Sequence, residues 1–257
     1  MSANPAREML PLAWITGGGS GIGRALALAL SRAGWRVAIS GRDADKLRDC
    51  CAADPAGRLL AVPLDVTDDG AVQRVVDMLE QQHGPLQLAV LNAGDYQPMS
   101  LDDFDAALFS RLMAVNYLGV VHALDAVLPH MRRRGDGQIL INASLSGYRG
   151  LPLAAPYGAT KAALINLAES LHNECRAAGI KLRLINPGFV RSPLTDRNDF
   201  KMPFLTTPEA VAGHILKSLG RDNFEIAYPR AMTWLMKALR LLPYRLYFPL
   251  TAQMGKR

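Results

Sequence analysis

A glycine-rich turn between two apolar runs restricts the folds open to this chain more than any other feature. Thr16-Gly17-Gly18-Gly19-Ser20-Gly21-Ile22-Gly23 follows the short run Leu12 to Thr16 and opens Ile22 to Ala33, a stretch of helical composition that stops at Gly34. The spacing is G-x-x-x-G-x-G, with Gly17, Gly21 and Gly23 at the key places. Residues without a Cβ let the backbone turn tightly and approach a pyrophosphate, whose charge meets the positive end of a helix dipole. A strand, a glycine turn and a helix at the start of a chain predict a dinucleotide-binding fold.

The remainder repeats the alternation. Strands are expected at Arg36 to Ser40, Leu59 to Leu64, Leu86 to Leu91, Gln138 to Ala143, Lys181 to Asn186 and Phe224 to Ala227. Helices are expected at Asp43 to Ala52 with Asp43 as N-cap, Asp68 to His83, Leu101 to Ser110, Leu112 to Arg134, Pro156 to Ala178 and Pro208 to Leu219. Each strand is a nearly continuous apolar run, as in a parallel sheet covered on both faces. Right-handed crossovers then give an α/β doubly wound parallel sheet, a Rossmann fold. No repeat, low-complexity segment or linker divides the chain. Residues 1–228 read as one dinucleotide-binding domain and 229–257 as a basic, apolar helical extension of it.

The second strand ends at Ser40-Gly41-Arg42. A site that prefers NAD usually carries an acid here for the ribose 2′-hydroxyl. Arg42 offers a guanidinium fork instead, which suits a 2′-phosphate, so the cofactor expected is NADP(H). Asp43 could pair with Arg42 or cap the next helix, and the cap is the preferred reading.

Thirteen residues after Ser144 comes Tyr157, and four after that comes Lys161. Residues four apart share a helix face. An ammonium near a phenol favours the phenolate, so Lys161 is expected to lower the pKa of Tyr157 towards neutrality. Ser144 could hold the oxygen of a carbonyl or an alcohol. The three read as a device for moving a proton on or off a substrate oxygen. Ser146 could compete with Ser144.

With these residues in hand, the chain resembles the short-chain dehydrogenase/reductase family over about residues 10–228. The glycine loop, including Ser20 and Ile22, matches the family's nucleotide turn. Asp65-Val66 matches the pair that contacts adenine, and Asn92-Ala93-Gly94 the wall beside the cofactor. Asn116, Ser144, Tyr157 and Lys161 match the catalytic tetrad, and Pro187-Gly188-Phe189-Val190 the segment that meets the nicotinamide. Ser192 stands where the family usually has threonine. The resemblance implies that Tyr157 is the general acid/base, that Lys161 lowers its pKa and bonds the nicotinamide ribose, that Ser144 orients the substrate oxygen, and that Asn116 holds a water that passes protons to Lys161. It further implies hydride transfer between NADP(H) and a carbonyl or secondary alcohol without a metal, and a homodimer or homotetramer. An NAD-dependent alcohol dehydrogenase and a non-catalytic dinucleotide sensor stay open as alternatives.

Charge sets the end of the chain apart. The chain holds 29 lysines and arginines against 23 acids. Arg230, Lys237, Arg240, Arg245, Lys256 and Arg257 account for the whole excess, and no acid lies between Ile226 and Arg257. Such a local excess argues against a nucleic-acid partner, which needs a distributed basic face. The extension predicts a helix with Ala231, Leu235, Leu239 and Leu242 on one side, ringed by Trp234, Met236 and Lys237 and broken at Pro243. It could dock over the pocket, meet a partner subunit, or make a peripheral membrane contact through residues 230–250. With Phe200, Met202, Phe204 and Leu205 in the loop Ser192 to Thr207, it suggests a lipophilic substrate. No apolar run approaches the ~18 residues of a membrane-spanning helix. The N-terminus does not resemble a secretory signal, and Cys50, Cys51 and Cys175 read as free thiols, so a cytoplasmic protein is expected.

Overall fold

The computed structural model describes residues 10–193, 195–197 and 202–252; Phe200, Lys256 and Arg257 lie outside the described residues. Seven parallel strands form one sheet: β1 (Leu12–Thr16), β2 (Arg36–Gly41), β3 (Leu59–Pro63), β4 (Leu86–Leu91), β5 (Gly137–Asn142), β6 (Ile180–Pro187) and β7 (Glu225–Tyr228). Their order is β3-β2-β1-β4-β5-β6-β7. The chain therefore winds one way from β1 to β3, then returns past β1 to build the other half. The crevice between β1 and β4, at the carboxyl ends of the strands, is where doubly wound sheets bind ligands.

Every residue of β1 is buried. Leu12 and Trp14 point into one core and Ala13 and Ile15 into the other, as period-two alternation between two covered faces requires. Trp14 is fully buried, and its indole N–H donates to Ser40 on β2 at 2.9 Å. Helices α1 (Gly21–Arg32), α2 (Ala44–Ala52) and α7 (Pro208–Ser218) close one face. The other face is covered by α3 (Asp69–Gln82), α5 (Gly119–Arg134) and α6 (Ala155–Ala177).

The expected elements are present, with one informative departure. The sequence suggests a helix from Leu101 followed by another from Leu112. Instead, Asp105 caps the N-terminus of α4 (Ala106–Met113) by accepting from Ala107 N at 2.8 Å. Helix α4 then runs without a gap through a π-turn (Ala114–Leu118) into α5. Leu101 and Phe104 lie before the helix, exposed. The joined helix, 106–134, is long and apolar enough to cross a membrane, but its apolar stripe, including Ala123, Leu124 and Val127, packs into the core beside the sheet.

The extension folds as α8 (Arg230–Leu241) and α9 (Tyr244–Thr251), separated at Pro243 as expected. The face it presents to the body is not the expected one. Met232, Thr233 and Met236 are buried, while Ala231 and Leu235 are exposed. The reason is a single tertiary contact: Met232 lies so close to Gly188 that a Cβ there would sit 2.5 Å from its Sδ, which fixes the rotation of the helix.

Trp14→Phe should destabilise the protein by about 2–3 kcal/mol, through lost buried volume and an orphaned Ser40 hydroxyl. Adding Ser40→Ala should restore roughly 1 kcal/mol of it. Urea unfolding followed by circular dichroism compares the three proteins, and no recovery in the double variant would mean that the hydrogen bond contributes nothing.

Candidate active site

The glycine turn is built by close packing before any ligand enters. Gly17 has φ +68° and Gly21 φ +52°, both in the left-handed region that favours glycine. A Cβ at Gly23 would fall 2.2 Å from the carbonyl oxygen of Gly17, so the first turn of α1 lies directly on the loop. Ser20 is the N-cap of α1, yet its side chain accepts no hydrogen bond from the helix, and the first turn carries no acid. The helix thus presents unspent N–H donors and an uncompensated positive dipole end, which suit a pyrophosphate.

These groups open onto a cleft of about 200 Å³ lined by Gly17, Ser20, Arg42, Asp65, Val66 and Gly94, among others. Arg42 is exposed at its edge. Asp43 accepts from Lys46 N at 3.1 Å and pairs with the Lys46 amine at 2.9 Å, so it caps α2 and leaves Arg42 to the cleft. Asp65 is held by Thr67, whose backbone N–H and hydroxyl donate at 3.0 and 2.8 Å. Those bonds, aided by the nearby Arg42 charge, keep its carboxyl below the usual range against the opposing effect of burial. A glycine cradle and a free helix N-terminus fit a dinucleotide, with the Arg42 guanidinium standing at the rim.

The wall of the cleft is a chain of strand-end hydrogen bonds. Thr16 at the end of β1 accepts from the N–H groups of Asn92 and Ala93 at 2.9 and 3.0 Å. The Asn92 amide donates back to Thr16 O at 3.0 Å and accepts from Asn142, at the end of β5, at 2.8 Å. The carbonyl of Asn142 in turn accepts from the Lys161 amine at 2.7 Å.

Asn116 sits in the π-turn and is completely buried. Its side chain accepts from Asp95 N at 2.7 Å and donates to Asp95 O at 3.0 Å and to Thr160 at 3.1 Å. A Cβ at Gly94 would lie 3.3 Å from Asn116 Oδ1 and 3.7 Å from Lys161 Nζ, so the three meet at one point. The turn Leu145–Gly147 after Ser144 packs on α6 so closely that a Cβ on Gly147 would be 2.7 Å from the Lys161 carbonyl carbon. That packing sets the Ser144 hydroxyl beside the Tyr157 phenol, close enough to favour its ionised form, while Ser144 Oγ itself donates to Pro187 O at 3.4 Å. Ser144 Oγ also accepts from Ser146 N at 3.1 Å, which leaves Ser146 as the turn residue. Tyr96 meets the Tyr157 ring edge-on at 5.0 Å, and Met99, Leu108 and Leu112 pack nearby.

One electrostatic expectation is corrected. Tyr157 is not lowered: burial pushes its phenol up to about 12, against the opposing effect of Ser144. Burial also brings the Lys161 amine down to about 7. A buried amine near its own neutralisation point is a weak source of positive charge, and it lies 5.5 Å from the centre of the phenol ring. The pair shares one side of α6, as the spacing predicts, but the phenol is kept as a proton donor.

Pro187, Gly188, Val190 and Ser192 follow β6 back over the turn. Gly188 N donates to Tyr228 O at 2.9 Å, Val190 bridges to Thr206, and a Cβ on Gly21 would be 3.7 Å from Ser192 Cβ. Of the residues expected at the site, Gly17, Ser20, Arg42, Asp65, Val66, Ala93 and Gly94 line the cleft, while Asn116 and Lys161 are buried behind it against Gly94. Sequence reasoning missed Asn142, Thr160, Tyr96 and Asp95. Asn142 carried a signal, since a polar residue closing an apolar strand at the level of Asn92 is poised to pair with it.

The short chain dehydrogenase family profile matches residues 11–202. The chain belongs to the short chain dehydrogenase family. It is 36% identical over 239 residues to an uncharacterized oxidoreductase of Myxococcus xanthus, covering 91% of this chain and 94% of that one. An uncharacterized oxidoreductase of Staphylococcus haemolyticus is 32% identical over 208 residues, covering 81% and 90%. Among solved structures, ElxO with NADP bound superposes with a TM-score of 0.77 at 26% identity, covering 85% of this chain and 98% of that one. A short-chain dehydrogenase from Streptomyces avermitilis superposes with a TM-score of 0.80 at 25% identity, covering 95% and 97%. This chain is thus an oxidoreductase of that family, with a nicotinamide cofactor.

The Lys161 amine binds a proton less readily in the fold than in the unfolded chain, where the ordinary value is 10.5. Between pH 7 and 10 the unfolded chain therefore holds a proton that the native protein does not, and stability should rise with pH across that window. Lys161→Met should remove up to about 2 kcal/mol of the gain between pH 7 and 9. Urea midpoints at the two pH values measure it; identical slopes in both proteins would contradict a depressed amine.

Proposed function

We propose that the protein is an NADP(H)-dependent oxidoreductase that reduces a lipophilic carbonyl compound to a secondary alcohol, with Tyr157 as the general acid. The observation that carries the reading is the meeting of the Ser144 and Tyr157 hydroxyls and the Lys161 amine at the lip of the glycine cleft. The nicotinamide supplies the hydride to the carbonyl carbon when bound. Gly17, Ser20, Gly21, Ile22 and Gly23 would hold its pyrophosphate, Asp65 and Val66 its adenine side, and Asn92, Ala93, Gly94, Pro187, Gly188, Val190 and Ser192 its nicotinamide side. Arg42 would bond the 2′-phosphate through its fork.

Ser144 donates a hydrogen bond to the carbonyl oxygen and polarises it. Tyr157 gives its proton to that oxygen as negative charge develops there. A phenol near pKa 12 is fully protonated at neutral pH, yet far more acidic than an alcohol, so donation is downhill. The same value disfavours phenolate, which supports reduction over oxidation near neutrality. Lys161, poised near neutral pH, can return a proton to the site, and Asn116 beside it would hold the water that feeds it. Met99, Leu108 and Leu112 around the Tyr157 ring, with Phe204 and Leu205 in the loop after β6, support an apolar substrate.

The reading includes one domain with a C-terminal arm, a cytoplasmic setting, and assembly as a homodimer or homotetramer through α5 and α6. ElxO, solved with NADP and with NADPH bound, supports the cofactor choice.

Tyr157→Phe should lower carbonyl reduction by roughly 10²–10⁴-fold while leaving NADPH affinity unchanged. Retained turnover, read as NADPH consumption over ketones, aldehydes, steroids and 3-oxoacyl compounds, would remove Tyr157 from the mechanism. Arg42→Ala should weaken NADPH binding about 10–100-fold and NADH binding little. Equal losses for the two cofactors, by fluorescence titration, would withdraw the 2′-phosphate assignment.

A further inference from the structure

The C-terminal arm is firmly held on its inner side and apolar on its outer side. One Arg149 amino group donates to the last carbonyls of α8, Leu239 O at 2.7 Å and Leu242 O at 2.6 Å. The same guanidinium lies 3.9 Å from the centre of the Tyr247 ring on α9. Tyr247 donates to Gly150 O at 2.5 Å, and Lys237 pairs with Glu225 at 2.6 Å. These contacts fix both helices, so their outer side chains are displayed rather than frayed.

That display is unusual for a water-facing surface. Leu241 is 85% exposed, Trp234 72% and Phe248 60%, with Leu235, Tyr244 and Leu250 also exposed. On α8 the apolar arc is wider than the body can cover: Met232 and Met236 dock, while Trp234, Ala238 and Leu241 share the opposite side at helical spacing. Scattered apolar side chains are ordinary on a surface, but consecutive helical turns of them mark a contact face.

Charge selects the partner. Arg230, Arg240 and Arg245 are exposed on the same two helices, and no acid follows Glu225 in the chain. A two-fold contact between copies through this face would bring like charges together. Tryptophan and leucine among arginines, with no acid, match the boundary of an anionic lipid layer.

Position connects the face with the cleft. All strands are parallel, so α8 starts from the end of the sheet that carries the site. It begins against Gly188 and finishes at Arg149, two residues beyond the turn that follows Ser144. The arm therefore spans the rim of the crevice.

We propose that α8 and α9 form an interfacial foot that lays Trp234, Leu241 and Phe248 into an anionic lipid surface, and that the substrate reaches the cleft from that surface. The second half rests on the lipophilic-substrate reading given above; the first does not.

The test is co-sedimentation of the full chain with vesicles of phosphatidylglycerol mixed with phosphatidylcholine, and with phosphatidylcholine alone. Binding to the anionic vesicles should be at least about tenfold tighter and should weaken with added salt. The triple variant Trp234→Ser, Leu241→Ser, Phe248→Ser should lose that binding while keeping its circular dichroism and its NADPH affinity. Arg240→Gln with Arg245→Gln should keep weak binding and lose the preference for anionic lipid. No binding by the unaltered protein, or equal binding by the triple variant, overturns the proposal. So does a triple variant that turns a dimer into a monomer with no vesicle binding in the parent, which would give the face to a second copy. Because sedimentation reads no turnover, its failure leaves the oxidoreductase reading standing, and an inactive enzyme that still sediments would leave the foot standing.

Discussion

Lys161 brings an ionisable amine into a place almost closed to bulk water, and the cleft is arranged around that cost. Only 3% of the residue is exposed, and its amine donates to the carbonyl that ends β5. Burying a full charge with one neutral acceptor is unfavourable, so the amine moves towards neutrality instead. The carbonyl can serve because Asn142 is fixed by Asn92, and Asn92 is fixed by Thr16 under the glycine turn. A single run of hydrogen bonds therefore joins the cofactor turn, two strand ends and the helix that bears Tyr157. Loosening any member would shift the amine relative to the phenol.

The same low-polarity surroundings act on both titrating groups in opposite senses. They raise the phenol and lower the amine, so the two approach the state in which neither is charged. Geometry at i and i+4 was enough to bring them together. It was not enough to say which of desolvation and mutual attraction would win. Spacing carries distance, whereas the balance of the two effects depends on how much water the neighbouring elements exclude.

Local patterns made most of the architecture readable. Continuous apolar strands announced a sheet covered on both sides, and Asp43 as an N-cap was legible from its position before α2. What escaped were features made by partners far apart in sequence. The inward face of α8 is chosen by Met232 against Gly188, and the helix stripe of Ala231 and Leu235, equally regular as a pattern, faces outward. Arg149 looks like an ordinary surface arginine in the sequence, yet it closes the end of α8 and stacks on Tyr247. Asn116 was legible through its surroundings in the chain, but the π-turn that aims it was not, because helical periodicity on either side conceals one added residue.

That added residue has a consequence for how the chain can change. A π-turn takes in one residue more than an α-turn, which sets the helical segments before and after it out of phase by about 100°. Deleting one residue between Ala114 and Leu118 would produce a more regular helix and a worse protein. With α5 seated on the sheet by Ala123 and Val127, Leu108 and Leu112 would rotate away from Tyr157. The number of residues in this turn is therefore constrained as tightly as the identity of the buried Asn116 within it.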